Sequence, residues 1–179
     1  MREAMRAAGL PAMLPAIAAL QRDPARYLGF VEVHIEQGPV LDALDMPLGI
    51  VTSINGSRRF LGQATGTACH AGTTPMGQRQ DAALAVAALA LAVEQAALAR
   101  PGTVGTVGIL QVPQGSINVV PGRCEFSLDL RAPTDAERDG LVDEVLAAAA
   151  RICEQRGVRI ALDESLRAAA APSHPAWQA

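Results

Sequence analysis

Four short polar stretches carry most of the chemistry available to this sequence. They are His34-Ile35-Glu36-Gln37-Gly38-Pro39, Cys69-His70-Ala71-Gly72-Thr73-Thr74-Pro75-Met76, Ser116-Ile117-Asn118-Val119-Val120-Pro121-Gly122 and Asp129-Leu130-Arg131-Ala132-Pro133. His70 lies among glycine and threonine, where Gly72 and Pro75 stop a helix from forming. An imidazole N–H held on such a loop can stabilise a developing oxyanion; the alternative is a histidine that hydrogen-bonds its own turn. His34 shares an alternating face with Glu32 and Glu36. Neutral imidazole is a good zinc ligand, whereas a lone histidine on a strand is more often structural, and no HxH, HxD or HExxH pairing accompanies it. Asn118 can donate to and accept from a substrate or simply close an Asx-type turn. Arg131, at a strand end, can clamp a carboxylate through two parallel hydrogen bonds or pair with Asp129 or Asp135. Gln37 reads either as a substrate contact or as turn chemistry. The Gly/Thr loop at 72–74 is no phosphate loop, because no GK[ST] follows it. The expectation is that the four stretches converge on a small anionic substrate and a metal.

The surrounding pattern must place these residues. Residues 1–22 read as helical, interrupted by Pro11 and Pro15, with Asp23-Pro24 capping a turn. Residues 30–36 alternate as a strand, a short helical turn follows at 40–44, and residues 48–54 read as another strand leading to a tight Asn55-Gly56 hairpin. From residue 58 the order becomes regular. A strand is predicted over 59–66, a buried helix over 79–100 closed by Pro101-Gly102, and a strand over 103–112. A second unit follows: a strand over 123–130 with Cys124, Phe126, Leu128 and Leu130 on one face, a helix from the Thr134/Glu137 capping box to Arg156, Gly157 as its stop, and a last strand over 158–162. Strand–helix–strand repeated twice predicts an α+β fold, the ferredoxin-like β-α-β-β-α-β sandwich with an antiparallel sheet and two helices on one face. Ser173-His174-Pro175 has the form of a cap and first turn of a further helix.

Composition narrows the partners. Of 179 residues half are apolar and only 3% aromatic, so the core is aliphatic. The net charge of −3 without a basic block argues against nucleic acid. The most apolar window, about 12 residues, falls short of the roughly 20 a membrane helix needs. Three widely spaced cysteines without a CxxC read as reduced thiols, and the N-terminus lacks a signal-peptide layout, so a cytoplasmic setting is expected.

The segments VEVHIEQGPVLDA, GTACHAGTTPMGQRQDA and SINVVPGRCEFSLDLRAP, with their spacing, closely resemble the hydantoinase/carbamoylase branch of the dinuclear-zinc amidohydrolase and metallopeptidase clan, which includes N-carbamoyl-L-amino-acid hydrolases, allantoate amidohydrolases and β-ureidopropionases. The resemblance spans nearly all of residues 24–177. It implies a metal-dependent hydrolase of linear C–N amides using two divalent ions of the Zn or Mn type, with a lid domain that mediates homodimerisation and closes on a small carboxylate-bearing substrate. By the same resemblance, His34 is a metal ligand, His70 the lid histidine that stabilises the tetrahedral intermediate in the partner subunit's site, and Gln37, His70, Asn118 and Arg131 are substrate contacts. The remaining ligands and the catalytic glutamate of that family have no counterpart here, and Cys69 stands where asparagine or another small polar residue is expected. Residues 1–54 are therefore expected to be a fringe of the catalytic domain, 55–166 the lid, and 167–179 the start of the return to the catalytic domain. A stand-alone dimerisation or effector-binding module without activity is the alternative.

Overall fold

The computed structural model describes residues 2–9 and 20–178. Its contacts divide the chain into two units, Met1–Gly49 and Ile50–Ala179.

The first unit holds helix α1 (Arg2–Ala7), a 3-10 turn at Pro24–Arg26 and helix α2 (Val40–Ala43). Of the helix expected over 1–22, Arg2–Ala7 is helical, while residues 10–19 lie outside the described residues. The strand expected over 30–36 is not formed. Val31, Val33 and Ile35 alternate correctly, yet they are 80%, 96% and 75% exposed. A strand exists only where a neighbouring backbone takes its N–H and C=O groups, and no described segment does so here. Glu36 instead caps α2, its carboxylate accepting from the backbone N–H of Val40 at 2.8 Å and of Leu41 at 3.1 Å.

The second unit is the predicted sandwich. Strands β1 (Ser53–Ile54), β2 (Gly56–Thr65) and β3 (Cys69–His70) lead to helix α3 (Ala82–Leu98). Short strands β4 (Val104–Thr106), β5 (Leu110–Gln111) and β6 (Val119–Val120) lead to the long strand β7 (Arg123–Ala132). Helix α4 (Asp135–Arg156) then precedes β8 (Arg159–Ala168) and β9 (Ala171–Pro172). The main sheet runs β4-β7-β2-β8 with every pair antiparallel, the order that two interlocked strand–helix–strand units produce.

Local chemistry explains the helix ends. The Asp81 carboxylate accepts from Leu84 N at 3.0 Å and starts α3. Thr134 Oγ1 accepts from Glu137 N at 3.3 Å to start α4, while the Glu137 carboxylate takes the Thr134 hydroxyl at 2.7 Å, so the box closes side chain to side chain. Gly157 ends α4 at φ 62°, a left-handed conformation that glycine adopts freely.

The core lies between the helices and one sheet face. Cys124, Phe126, Leu128 and Leu130 of β7 are buried together with Val86, Leu89 and Val93 of α3 and Leu141, Val142 and Val145 of α4. Gly62 makes room for the Phe126 ring: a Cβ there would lie 2.3 Å from Phe126 Cζ. The outer side of α3 is different. Leu84, Leu91 and Leu98, seven residues apart, are 44%, 65% and 73% exposed, and no charged residue falls between Ala82 and Val93.

Several boundaries move. Asn55-Gly56 is not a hairpin: β1 pairs with β9, and β2 turns away to pair with β7 and β8. Of the strand expected over 48–54, only Ser53–Ile54 is paired. The strand expected over 103–112 is split into β4 and β5. Thr106 faces Asp129 and Leu110 faces Phe126, so four steps on one side match three on β7, which is a bulge. The last strand continues to Ala168, well past residue 162. Its polar residues Asp163, Glu164 and Ser165 hid it, and they are tolerated because β8 is an edge strand, with Glu164 paired to Arg58 at 2.7 Å. At the end of the chain the His174 ring accepts from Ala176 N at 3.3 Å and starts the turn Pro175–Trp177, as the Ser-His-Pro pattern predicts. No helix among the described residues is long and apolar enough to cross a membrane.

Candidate functional site

The second and third polar stretches meet at one tip of the sheet. His70 lies opposite Val119 in the short β3–β6 ladder, and Ala71 N donates to the carbonyl of Asn118 at 2.9 Å. Gly66 N donates to Gly122 O at 2.9 Å, so this ladder prolongs the β2–β7 pairing. Both His70 and Asn118 are exposed. The Asn118 side-chain oxygen accepts from Ser116 Oγ at 2.8 Å, which commits the acceptor and leaves the NH2 donors for a ligand.

The hydrogen bonds also assign the two imidazole tautomers, and they are opposite. Gly72 N–H donates to His70 Nδ1 at 3.1 Å, so the ring proton of neutral His70 sits on Nε2, at the far side of the ring. A Cβ at Gly72 would lie 3.2 Å from the same ring, so glycine allows this close turn. His34 Nδ1–H donates to the carbonyl of Ile35, which in the neutral ring leaves Nε2 as the unprotonated nitrogen able to bind a metal. The two rings thus present a donor and a ligand respectively. Gln37, near His34, sits at φ 57°, a left-handed backbone uncommon for a residue with a side chain.

Arg131 lies on the sheet face away from the helices, near the opposite end of β7. Of the two ion pairs open to it from sequence, it makes the one with Asp129, whose carboxylate accepts from Arg131 Nε at 2.9 Å and Nη2 at 2.6 Å and from Arg59 Nε at 3.1 Å. Asp135 is held instead by Arg138 at 2.6 Å. The Asp129 grip occupies one edge of the guanidinium and leaves the Nη1/Nη2 end for a second, end-on carboxylate. The Arg131 hydrogen bond, helped by Arg59, holds the Asp129 carboxyl below the usual carboxylate range. Because its folded pKa is lower than its unfolded one, Asp129 stabilises the fold above the ordinary carboxylate value near 3.9 and loses that contribution as pH falls through the lower folded value. Denaturant midpoints measured at pH 7 and at about pH 3 will therefore draw closer together in Asp129→Asn than in the unaltered chain; an equal gap would show that the pair does not contribute.

Within the second unit one pair of candidate side chains is thus brought together and a third candidate is held apart from it. His70 and Asn118 share the tip. Arg131 stands eight residues from Arg123 along an unbroken strand, roughly 26 Å at about 3.3 Å per residue. His34 and Gln37 belong to the first unit. Among the described residues no group of three or more His, Cys, Asp or Glu side chains could hold a metal ion, so the residues present do not fit a metal centre by themselves. The three cysteines are free, and burial pushes the Cys124 thiol up, which makes it unreactive. Arg79 carried no signal in the sequence beyond being a cation after Pro75, yet it is bonded to the His70 loop.

The sandwich and the loop at its tip define a class. Residues 52–157 match the peptidase dimerisation domain, and the chain belongs to that family. It is 43% identical over 159 residues to the N-carbamoyl-L-amino acid amidohydrolase of Geobacillus stearothermophilus, covering 88% of this chain and 38% of that protein. It is 34% identical over 176 residues to the allantoate deiminase of Arabidopsis thaliana, covering 87% of this chain and 33% of that protein. Its fold is similar to the crystal structure of a hydantoinase/carbamoylase family amidase from Burkholderia ambifaria, with a TM-score of 0.77 and 39% identity over 80% of this chain and 35% of the other. The chain spans about a third of the length of these relatives, 38% and 33%. The relatives are an N-carbamoyl-L-amino acid amidohydrolase, an allantoate deiminase and a hydantoinase/carbamoylase family amidase, so the resemblance seen in HIEQGP and HAGTTPM is borne out.

Proposed function

We propose that this chain is the lid, with adjoining pieces of the catalytic domain, of an amidohydrolase that cleaves the linear C–N amide bond of N-carbamoyl amino acids or of ureido acids such as allantoate. In this reading residues 1–54 and 167–179 belong to the catalytic domain and 55–166 form the lid. The exposed alternation of Val31, Val33 and Ile35 supports the first assignment, since such a segment is stable only when a sheet takes up its backbone. His34 supplies one ligand to a two-metal centre, and its free Nε2 suits that role. Gln37 and Asn118 contact the substrate, Arg131 clamps its carboxylate, and His70 Nε2–H donates to the oxygen that becomes negative as the carbamoyl carbon turns tetrahedral.

The observation that carries the reading is the distance along β7. A small substrate cannot touch His70 and Arg131 of the same chain, so a site that uses both is built by two subunits. A second copy of the chain is therefore the partner, and the exposed Leu84/Leu91/Leu98 side of α3, with Glu94 as its one charge, is the surface that seats it. Ammonia release by the full-length enzyme from N-carbamoyl amino acids, allantoate and ureidoglycolate tests the proposal. Hydrolysis of at least one, with KM raised strongly when its carboxylate is removed, is the expected result. A stable dimer that hydrolyses none of them would leave only the dimerisation module.

A further inference from the structure

We infer that Arg79 is the positioning residue for His70. The loop from His70 to Thr74 is anchored at its start, where His70 pairs with Val119 and Ala71 N donates to Asn118 O at 2.9 Å, and makes few contacts beyond that. Thr74 N donates to His70 O at 3.1 Å and Gly72 N to His70 Nδ1 at 3.1 Å, and both His70 and Gly72 are exposed. Arg79 closes the loop from below. Its Nε donates to the carbonyl of Thr74 at 3.0 Å and its Nη2 to the carbonyl of Ala71 at 2.6 Å. The 3-10 turn Met76–Gln78, which Arg79 N ends by donating to Met76 O, folds the guanidinium back under the loop. Those two carbonyls flank Gly72, so the fork fixes the peptide whose N–H sets the His70 tautomer.

The geometry demands a guanidinium. Two carbonyls several residues apart are held by two donors in one rigid plane, which a lysine ammonium does not reproduce. Arg79 is half-buried and paired with no carboxylate among its described hydrogen bonds, so its charge is spent on backbone dipoles alone. It touches neither Asn118 nor any other candidate substrate contact in those bonds, and it acts through His70.

Two measurements test this. In the present chain, nitrogen-15 spectra of the histidine rings report which nitrogen of His70 carries the proton. The unaltered chain will show Nδ1 as an unprotonated acceptor and Nε2 protonated, with separate signals; in Arg79→Met, and in Arg79→Lys should the first variant fold poorly, the two signals will move toward each other. Ring signals identical to the unaltered chain in both variants would overturn the inference. In the full-length enzyme, Arg79→Met will lower kcat by roughly ten- to a hundredfold, the scale of a misplaced catalytic group, with little change in KM, and Arg79→Lys will not restore it. In a His70→Ala background the same substitution will change kcat by less than about twofold, because both act through one group. Effects that multiply would overturn it. The kinetic arm rests on His70 acting as an oxyanion donor and the spectroscopic arm does not, so the proposed function and this inference fail separately.

Discussion

In the full-length enzyme, His70→Ala lowers turnover by about 10²–10³-fold, the usual cost of removing one preorganised oxyanion donor, while metal content and KM stay near the unaltered values. The size follows from the tautomer. Gly72 N–H already occupies Nδ1, so the proton on Nε2 is in place before substrate arrives and no reorganisation accompanies the reaction. A residue that merely filled its turn would leave kcat unchanged when truncated, and unchanged turnover with intact metal would remove His70 from the chemistry. The assay is steady-state ammonia release paired with elemental analysis of the purified enzyme.

The second large effect appears on mixing. His70→Ala and Arg131→Ala enzymes, each nearly inactive, recover about a quarter of unaltered activity when their subunits are exchanged in equal amounts. Half of the dimers are then mixed, and in each of these one site receives both intact residues while the other receives neither. The expectation depends on β7. With His70 beyond one end of the strand and Arg131 near the other, a site that uses both is expected to draw them from different subunits. If one chain supplied both, every site in a mixed dimer would lack one of them and mixing would recover nothing. Subunit exchange followed by an activity titration against mixing ratio decides between the two.

The legible parts of this protein were those in which local pattern and tertiary burial agree. The alternation of Cys124, Phe126, Leu128 and Leu130, the Thr134 cap and the Gly157 stop all signal elements that the fold keeps. The second half of β8 was hidden because an edge strand does not need a buried face. The opposite error occurred at 30–36, where period-two hydrophobicity is present but no backbone among the described residues pairs with it. At the candidate site, residue type singled out His70, Asn118 and Arg131, and the HAGTTPM resemblance gave them roles to test. What the sequence did not contain was their arrangement: that Asp129 rather than Asp135 takes Arg131, that His70 and Asn118 share a tip, and that Arg79 reaches back to two carbonyls. These are facts about folded geometry, set by bulges and turns with no one-residue signature.

The unbroken length of β7 has a consequence for the cell as well as for the site. Ten residues, paired on both sides, make a rod that cannot bend to bring its ends together. If half of every site comes from another molecule, the isolated subunit is catalytically silent, and specific activity becomes a function of abundance. Scarce enzyme would idle and plentiful enzyme would work, so the level of expression would itself act as a threshold on flux, with no effector and no modification involved.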